Sequence, residues 1–119
     1  MERVNPIRIT DKTTGEIYTL DFSRESIAFM DRQGFAMDDS VTQFPVTKIP
    51  KLFYYALRAV HKNTISENRA NALLEKIGGL TPAMINRLNE LYYQAAMSNN
   101  VLQDDDDLGK NADVAVEMD

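Results

Sequence analysis

Residues 49–60 read IPKLFYYALRAV, and this stretch decides the fold because its apolar side chains recur at helical spacing. The stripe consists of Ile49, Leu52, Phe53, Ala56 and Val60. Tyr54, Tyr55 and Leu57 widen it well beyond one face of the helix. Such a helix is buried on two sides, either at the centre of its own fold or between that fold and a partner. The sequence alone leaves both interpretations open.

The start of this helix has two candidates, whereas its end is expected near Lys62. Thr47 can cap it with Pro50 still in the first turn, where a missing N–H is tolerated. Pro50 also disfavours helical geometry at Ile49, so the helix can instead begin at Pro50.

Two further helices are predicted towards the C-terminus. Ser66 caps a helix over residues 67–77, which Gly78 ends. Pro82 takes the favoured first position of another helix, which is expected to fade near Ser98.

A short helix is predicted before the aromatic stretch, over about residues 24–33. Ser23 is a suitable N-cap, and Gly34 is a natural terminator because glycine accepts the left-handed conformation. Residues 35–44 are then expected to form a loop that carries two acids, Asp38 and Asp39.

Two strands are predicted at the N-terminus because apolar residues alternate with a period of two within 4–10 and 16–22. Residues 11–15 suit a hairpin loop between them. The edge at 4–10 is open to strand pairing with another copy, so we expect a possible homo-oligomer.

The net charge of −5 is unevenly placed along the chain. Residues 101–119 hold seven acids and one lysine, so this segment carries −6 and the remainder +1. The acidic segment has too few apolar residues to offset its ordering entropy. The sequence therefore predicts a mainly α fold with a small N-terminal β-hairpin (α+β) and about four helices, in a single domain over 1–100. A flexible acidic tail is expected over 101–119.

Composition also excludes several classes of function. A near-neutral body without a long basic run argues against nucleic-acid binding. No apolar run approaches the roughly 18 residues that span a bilayer, and the N-terminus lacks an apolar signal-peptide core. The chain has no cysteine, which removes disulfides and thiolate zinc sites. We therefore expect a cytoplasmic protein with no membrane partner.

The residues that could carry chemistry have simpler explanations. His61 has no cysteine or triad partner at a suggestive spacing, and its place near a helix C-terminus is expected to be structural. The Asp104–Asp107 run fails as a calcium loop because Ala115 stands where a bidentate Glu is needed. Gly78-Gly79 lacks a phosphate-loop pattern. Asp38-Asp39 has no matching partner. No catalytic, cofactor-binding or metal-binding residue is therefore predicted.

The tyrosine pairs are the candidate binding residues. Adjacent helical residues differ by about 100° around the axis, so one member of each pair can face the core while the other cannot do so comfortably. This predicts a protein-binding surface that consists of Phe53, Tyr54, Tyr55, Tyr92 and Tyr93.

An ordered set of motifs resembles a known family. The motifs are YTLDF (18–22), SRESIAFM (23–30), QGF (33–35), Ile49 with LFYYAL (52–57), His61, GGLT (78–81) and LYYQA (91–95). Together they cover roughly residues 15–98 and resemble the small tail assembly chaperones of long-tailed, siphovirus-type phages and prophages.

The resemblance implies a non-enzymatic protein that works in the cytoplasm of the bacterial host and is absent from the mature virion. Such proteins bind the long, helical tape measure protein, keep it soluble and help recruit tail tube subunits. The alternative is a structural tail completion or connector protein that stays in the virion.

Overall fold

The computed structural model describes residues 3–101, and the expected acidic tail lies outside the described residues after Val101. A hairpin of β1 (Ile7–Thr10) and β2 (Ile17–Leu20) comes first. The helices are α1 (Arg24–Arg32), α2 (Ser40–Gln43), α3 (Pro45–His61), α4 (Glu67–Ile77) and α5 (Pro82–Val101), with a 3₁₀ turn (Lys62–Thr64) after α3. This confirms the predicted mainly helical fold with an N-terminal hairpin.

The hairpin is antiparallel and pairs Ile7 with Leu20 and Ile9 with Tyr18. Its loop is closed by two backbone hydrogen bonds, since Gly15 N–H donates to Asp11 O (2.7 Å) and Asp11 N–H donates to Glu16 O (2.8 Å). Apolar side chains on one face then pack against the helices, as a two-stranded sheet requires for stability.

Acceptors on α3 bind backbone N–H groups at the free edge of β2 and just after it. Thr19 N–H donates to His61 Nε2 (3.0 Å), and Asp21 N–H donates to Ala56 O (3.3 Å). The hairpin is therefore fixed to α3 by its backbone as well as by its apolar face.

Segment 4–5, just before β1, is held by α5. The Gln94 side chain accepts from Val4 N–H (2.6 Å) and donates to Val4 O (3.3 Å), as a neighbouring strand would. Arg87 donates to Asn5 O (3.1 Å). The predicted pairing edge over 4–10 is thus covered by α5 at its start.

Residues 24–32 form α1 because both ends carry matching signals. Ser23 Oγ accepts from Ser26 N–H (3.1 Å) and Ser26 Oγ accepts from Ser23 N–H (2.8 Å), which makes a reciprocal capping box. Gly34 follows the helix with φ 79°, in the left-handed region that the predicted terminator needs.

The expected loop over 35–44 is wrong at Ser40–Gln43, which forms α2. Asp38 Oδ1 accepts from Ser40 N–H (2.9 Å), and Asp38 O accepts from Val41 N–H (3.1 Å). Val41 is buried and anchors the turn. A single turn held by local bonds and one apolar contact shows no helical periodicity in sequence.

Both expected starts of α3, Thr47 and Pro50, are wrong because the helix begins at Pro45. Pro45 stands in the first turn, where its missing N–H is of no consequence. Pro50 lies inside the helix and leaves the Val46 carbonyl without its usual donor. Val46 is 89% exposed, so water can replace that donor.

The core forms around α3, against which β2, α1, α2 and α4 all pack. The buried side chains of α3 are Leu52, Phe53, Tyr55, Ala56 and Leu57. Burying a side chain of the size of leucine or phenylalanine contributes about 1.5–3 kcal/mol. The central position of α3, one of the two interpretations that the sequence left open, therefore accounts for its width of apolar surface.

Both ends of α4 and the start of α5 follow the predicted caps. Ser66 Oγ accepts from Arg69 N–H (3.1 Å), and Gly78 ends α4 with φ 82°. Thr81 Oγ accepts from Met84 N–H (3.1 Å) in the first turn of α5. These side chains satisfy backbone donors that the first turn of a helix leaves open.

Lys62 ends α3 in an unfavourable backbone conformation, with φ 53° and ψ −124°. Among residues 3–101 it is the one non-glycine residue with positive φ. Its N–H donates to Arg58 O, and Thr64 Oγ donates to His61 O (2.6 Å), so the surrounding bonds hold it there. Strain of this kind costs about 1–3 kcal/mol.

Replacing Lys62 by glycine is expected to stabilise the protein, because glycine adopts positive φ without strain. The matched control is Lys62→Ala, which removes the same charge and keeps the strain. In urea unfolding followed by circular dichroism, the free energy of unfolding of Lys62→Gly should be about 1 kcal/mol higher than that of Lys62→Ala. Equal free energies of unfolding for the two variants would contradict the assigned strain.

Candidate protein-binding surface

Phe53 and Tyr55, two of the predicted binding residues, lie in the core. Phe53 is completely buried. The Tyr55 ring packs edge-on against Phe29 and Phe35, with centroid distances of 5.9 and 5.4 Å. Burial also raises the pKa of the Tyr55 hydroxyl. Neither side chain forms part of the surface in this structure, so both are corrected to core residues.

Tyr54 and Tyr92 occupy an intermediate position between core and surface. The Tyr54 ring lies 5.5 Å from that of Tyr55, and Tyr92 packs edge-on against Phe22 at 5.6 Å. Burial is the main cause that raises the pKa of Tyr92, and the nearby carboxylate of Asp31 adds to it. Each tyrosine exposes only part of its ring for a partner.

Tyr93 is the most accessible of the five predicted residues, with 49% of its surface exposed. Its hydroxyl donates to Met37 O (3.2 Å), which orients the ring along the surface. Met97 lies one helical turn further along α5 and is 57% exposed. Residues four apart share a helix face, so Tyr93 and Met97 together form what we call the α5 face.

The largest apolar exposure lies elsewhere, at the junction of α2 and α3. Phe44 is 60% exposed and Val46 is 89% exposed, with the exposed Pro45 between them. We call these three residues the apolar corner. The sequence did not predict it, because Phe44 was placed in a loop and Val46 precedes both expected starts of α3.

The chain holds the apolar corner rigidly in place. Phe35, Met37 and Val41 are buried and fix the segment that leads to it. Phe44 N–H donates to Ser40 O (2.9 Å), and Lys48 N–H donates to Phe44 O (2.9 Å), which links α2 to α3. An apolar group held in one position loses little entropy when a partner covers it.

The apolar corner and the α5 face border the same segment of chain. Tyr93 bonds to Met37 at one end of that segment, and Phe44 forms its other end. Asp38 lies between them, and the pKa of its carboxyl is lowered by hydrogen bonds from Ser40. Exposed aromatic and methionine side chains near a polar group are typical of protein-binding surfaces.

His61 has a structural contact, as predicted from its place near the end of a helix. Its Nε2 accepts from Thr19 N–H, and its ring packs edge-on against Tyr18 with centroids 5.9 Å apart. In the described part of the chain, no group of three or more histidine or acidic side chains could hold a metal ion. No helix over that range is long and apolar enough to cross a membrane.

The comparison with protein families gives one match. A family described as a domain of unknown function, DUF5055, matches residues 1–118. Because the match covers nearly the whole chain, the protein belongs to the DUF5055 family. No curated protein and no solved structure matches the chain.

Charge substitutions are expected to separate core tyrosines from surface tyrosines. Tyr55→Asp places a carboxylate among buried rings and should cost at least about 3 kcal/mol of unfolding free energy. Tyr93→Asp meets solvent and should change stability by about 1 kcal/mol or less. Urea unfolding followed by circular dichroism measures both. Similar losses for the two variants would contradict this assignment.

Proposed function

We propose that this DUF5055 protein is a phage tail assembly chaperone, which binds the tape measure protein, keeps it soluble and helps recruit tail tube subunits. The observation that carries the proposal is that a small, well-packed body exposes two sets of apolar side chains, the apolar corner and the α5 face. The ordered motifs of the sequence supply the identity of the client. The proposed activity is binding, without catalysis and without a cofactor.

Exposed apolar side chains suit a helical client. A long amphipathic helix presents apolar residues at i, i+3, i+4 and i+7, and a few large side chains on a partner are enough to cover them. Full burial of an exposed side chain of this size contributes about 1.5–3 kcal/mol, and Phe44 and Val46, which are 60% and 89% exposed, can each gain the corresponding part of it. Tyr93 and Met97 of the α5 face are further exposed side chains that a client can cover.

The proposed place of action is the cytoplasm of the bacterial host, before or during tail assembly. The resemblance implies that the mature virion should lack this protein. A homo-oligomer would place several apolar corners along one tape measure helix and raise the effective affinity.

Co-expression with the tape measure protein of the same phage or prophage is the direct test. We expect more of the tape measure protein in the soluble fraction and co-purification of the two proteins. No gain in soluble yield and no co-purification would reject the proposal. Mass spectrometry of purified virions tests the alternative, because a tail completion or connector protein is retained in the particle.

The double variant Phe44→Ser with Val46→Ser is expected to weaken tape measure binding by at least about tenfold, because two exposed apolar contacts are lost. The control is Ile17→Ser on the hairpin, which removes another large apolar side chain that is 58% exposed. Affinity is measured by titration of purified proteins. Equal affinities of the double variant and the control would place the interface elsewhere.

A further inference from the structure

A groove of about 420 Å³ opens between α1 and the C-terminal end of α3. It lies at the opposite end of α3 from the apolar corner. Its lining includes Glu25, Ser26, Phe29, Arg32, Arg58 and Lys62. We call it the basic groove, because three of these side chains are cations and one is a carboxylate.

Arg58 is oriented by an aromatic ring. Its Cζ lies 3.8 Å from the centroid of Phe29, in the geometry of a cation–π contact. Stacking fixes the plane of the guanidinium and leaves N–H donors at its edge, where a carboxylate can accept two hydrogen bonds. The contact therefore presents a rigid donor group at the groove.

The groove carries more positive charge than its one lining carboxylate, that of Glu25, can neutralise. Lys62 Nζ lies 3.6 Å from Glu25 Oε1, in an exposed pair. Within residues 3–101, neither Arg32 nor Arg58 forms an ion pair with a carboxylate. Two guanidinium groups at the lining of one groove, in a protein of net charge −5, point to an anionic occupant.

Lys62 supplies a second observation. Its strained backbone would suit glycine better, yet a lysine side chain stands there and lines the groove. Strained positions that a less demanding residue would relieve are often functional. A cation at the groove is a function that glycine cannot provide.

We propose that the basic groove binds the acidic run Asp104–Asp107 of the same chain. The four consecutive aspartates hold most of the charge of a segment that carries −6, while the rest of the chain is close to neutral. Their carboxylates accept charge-assisted hydrogen bonds from Arg58 and Arg32. This intramolecular site does not depend on the identity of any external client.

The helix that leads to the acidic run packs against one wall of the groove. That wall is α1, and the Tyr92 ring of α5 packs against Phe22, two residues before α1 begins. Nine helical residues from Tyr92 to Val101 cover about 14 Å. The six residues after Val101, up to Asp107, can span at most about 20 Å. This length is enough to pass around one helix, which is about 10–12 Å across.

Paramagnetic relaxation enhancement on the full chain tests the proposal. The sequence has no cysteine, so Leu108→Cys gives a single site for a nitroxide label next to the acidic run. In the ¹⁵N-labelled protein we expect selective broadening of amide signals from 24–32 and 58–63. Raising the salt to about 0.5 M should remove it, because ion pairing is then screened.

Charge variants identify the contacts. Arg32→Glu with Lys62→Glu alters two exposed side chains and should abolish the selective broadening, as should replacement of Asp104–Asp107 by asparagine. The matched control is Arg8→Glu with Lys12→Glu, which changes charge equally at the exposed hairpin and should leave the broadening intact.

Several outcomes would overturn the proposal. They are uniform broadening, broadening centred away from the groove, or broadening that survives the Arg32→Glu/Lys62→Glu change. In a mixture of nitroxide-labelled ¹⁴N chains with ¹⁵N chains that carry no nitroxide, the ¹⁵N signals should show no broadening. Broadening in that mixture would mean that the acidic run binds a second copy instead.

Discussion

The burial of α3 is the constraint on which the rest of the structure depends. Phe53 and Leu57 are completely buried, and elements before and after α3 in sequence pack around it. The hairpin also uses the backbone of α3, since Asp21 N–H donates to Ala56 O. Loss of α3 would therefore expose the apolar faces of the hairpin and of three helices together, which makes folding of the body cooperative.

The same constraint decides which apolar side chains remain for partners. Because Phe53 and Tyr55 of α3 are buried in the core, the accessible apolar side chains lie at the junction before α3 and on α5. Pro50 also removes the usual donor of the Val46 carbonyl, so the first turn of α3 is best placed at the surface, where water can donate to that carbonyl.

Local signals predicted most of the fold, whereas burial required the tertiary structure. Ser66 and Gly78 mark the ends of α4 as expected, because caps depend on a few neighbouring residues. The sequence did not predict α2, because a single helical turn is too short to show a helical periodicity. For Tyr55 and Tyr93, adjacency in sequence showed that each pair must split between core and surface. Only packing against Phe29 and Phe35 shows that Tyr55 is the buried partner.

We propose that partners bind a small surface outside the core, and hydrogen–deuterium exchange tests this proposal most directly. The exchange of the full chain is compared with and without bound tape measure protein. We expect added protection of backbone amides over 40–48 and 90–97, with the hairpin unchanged. Protection confined to residues 7–20, or no protection at all, would contradict it.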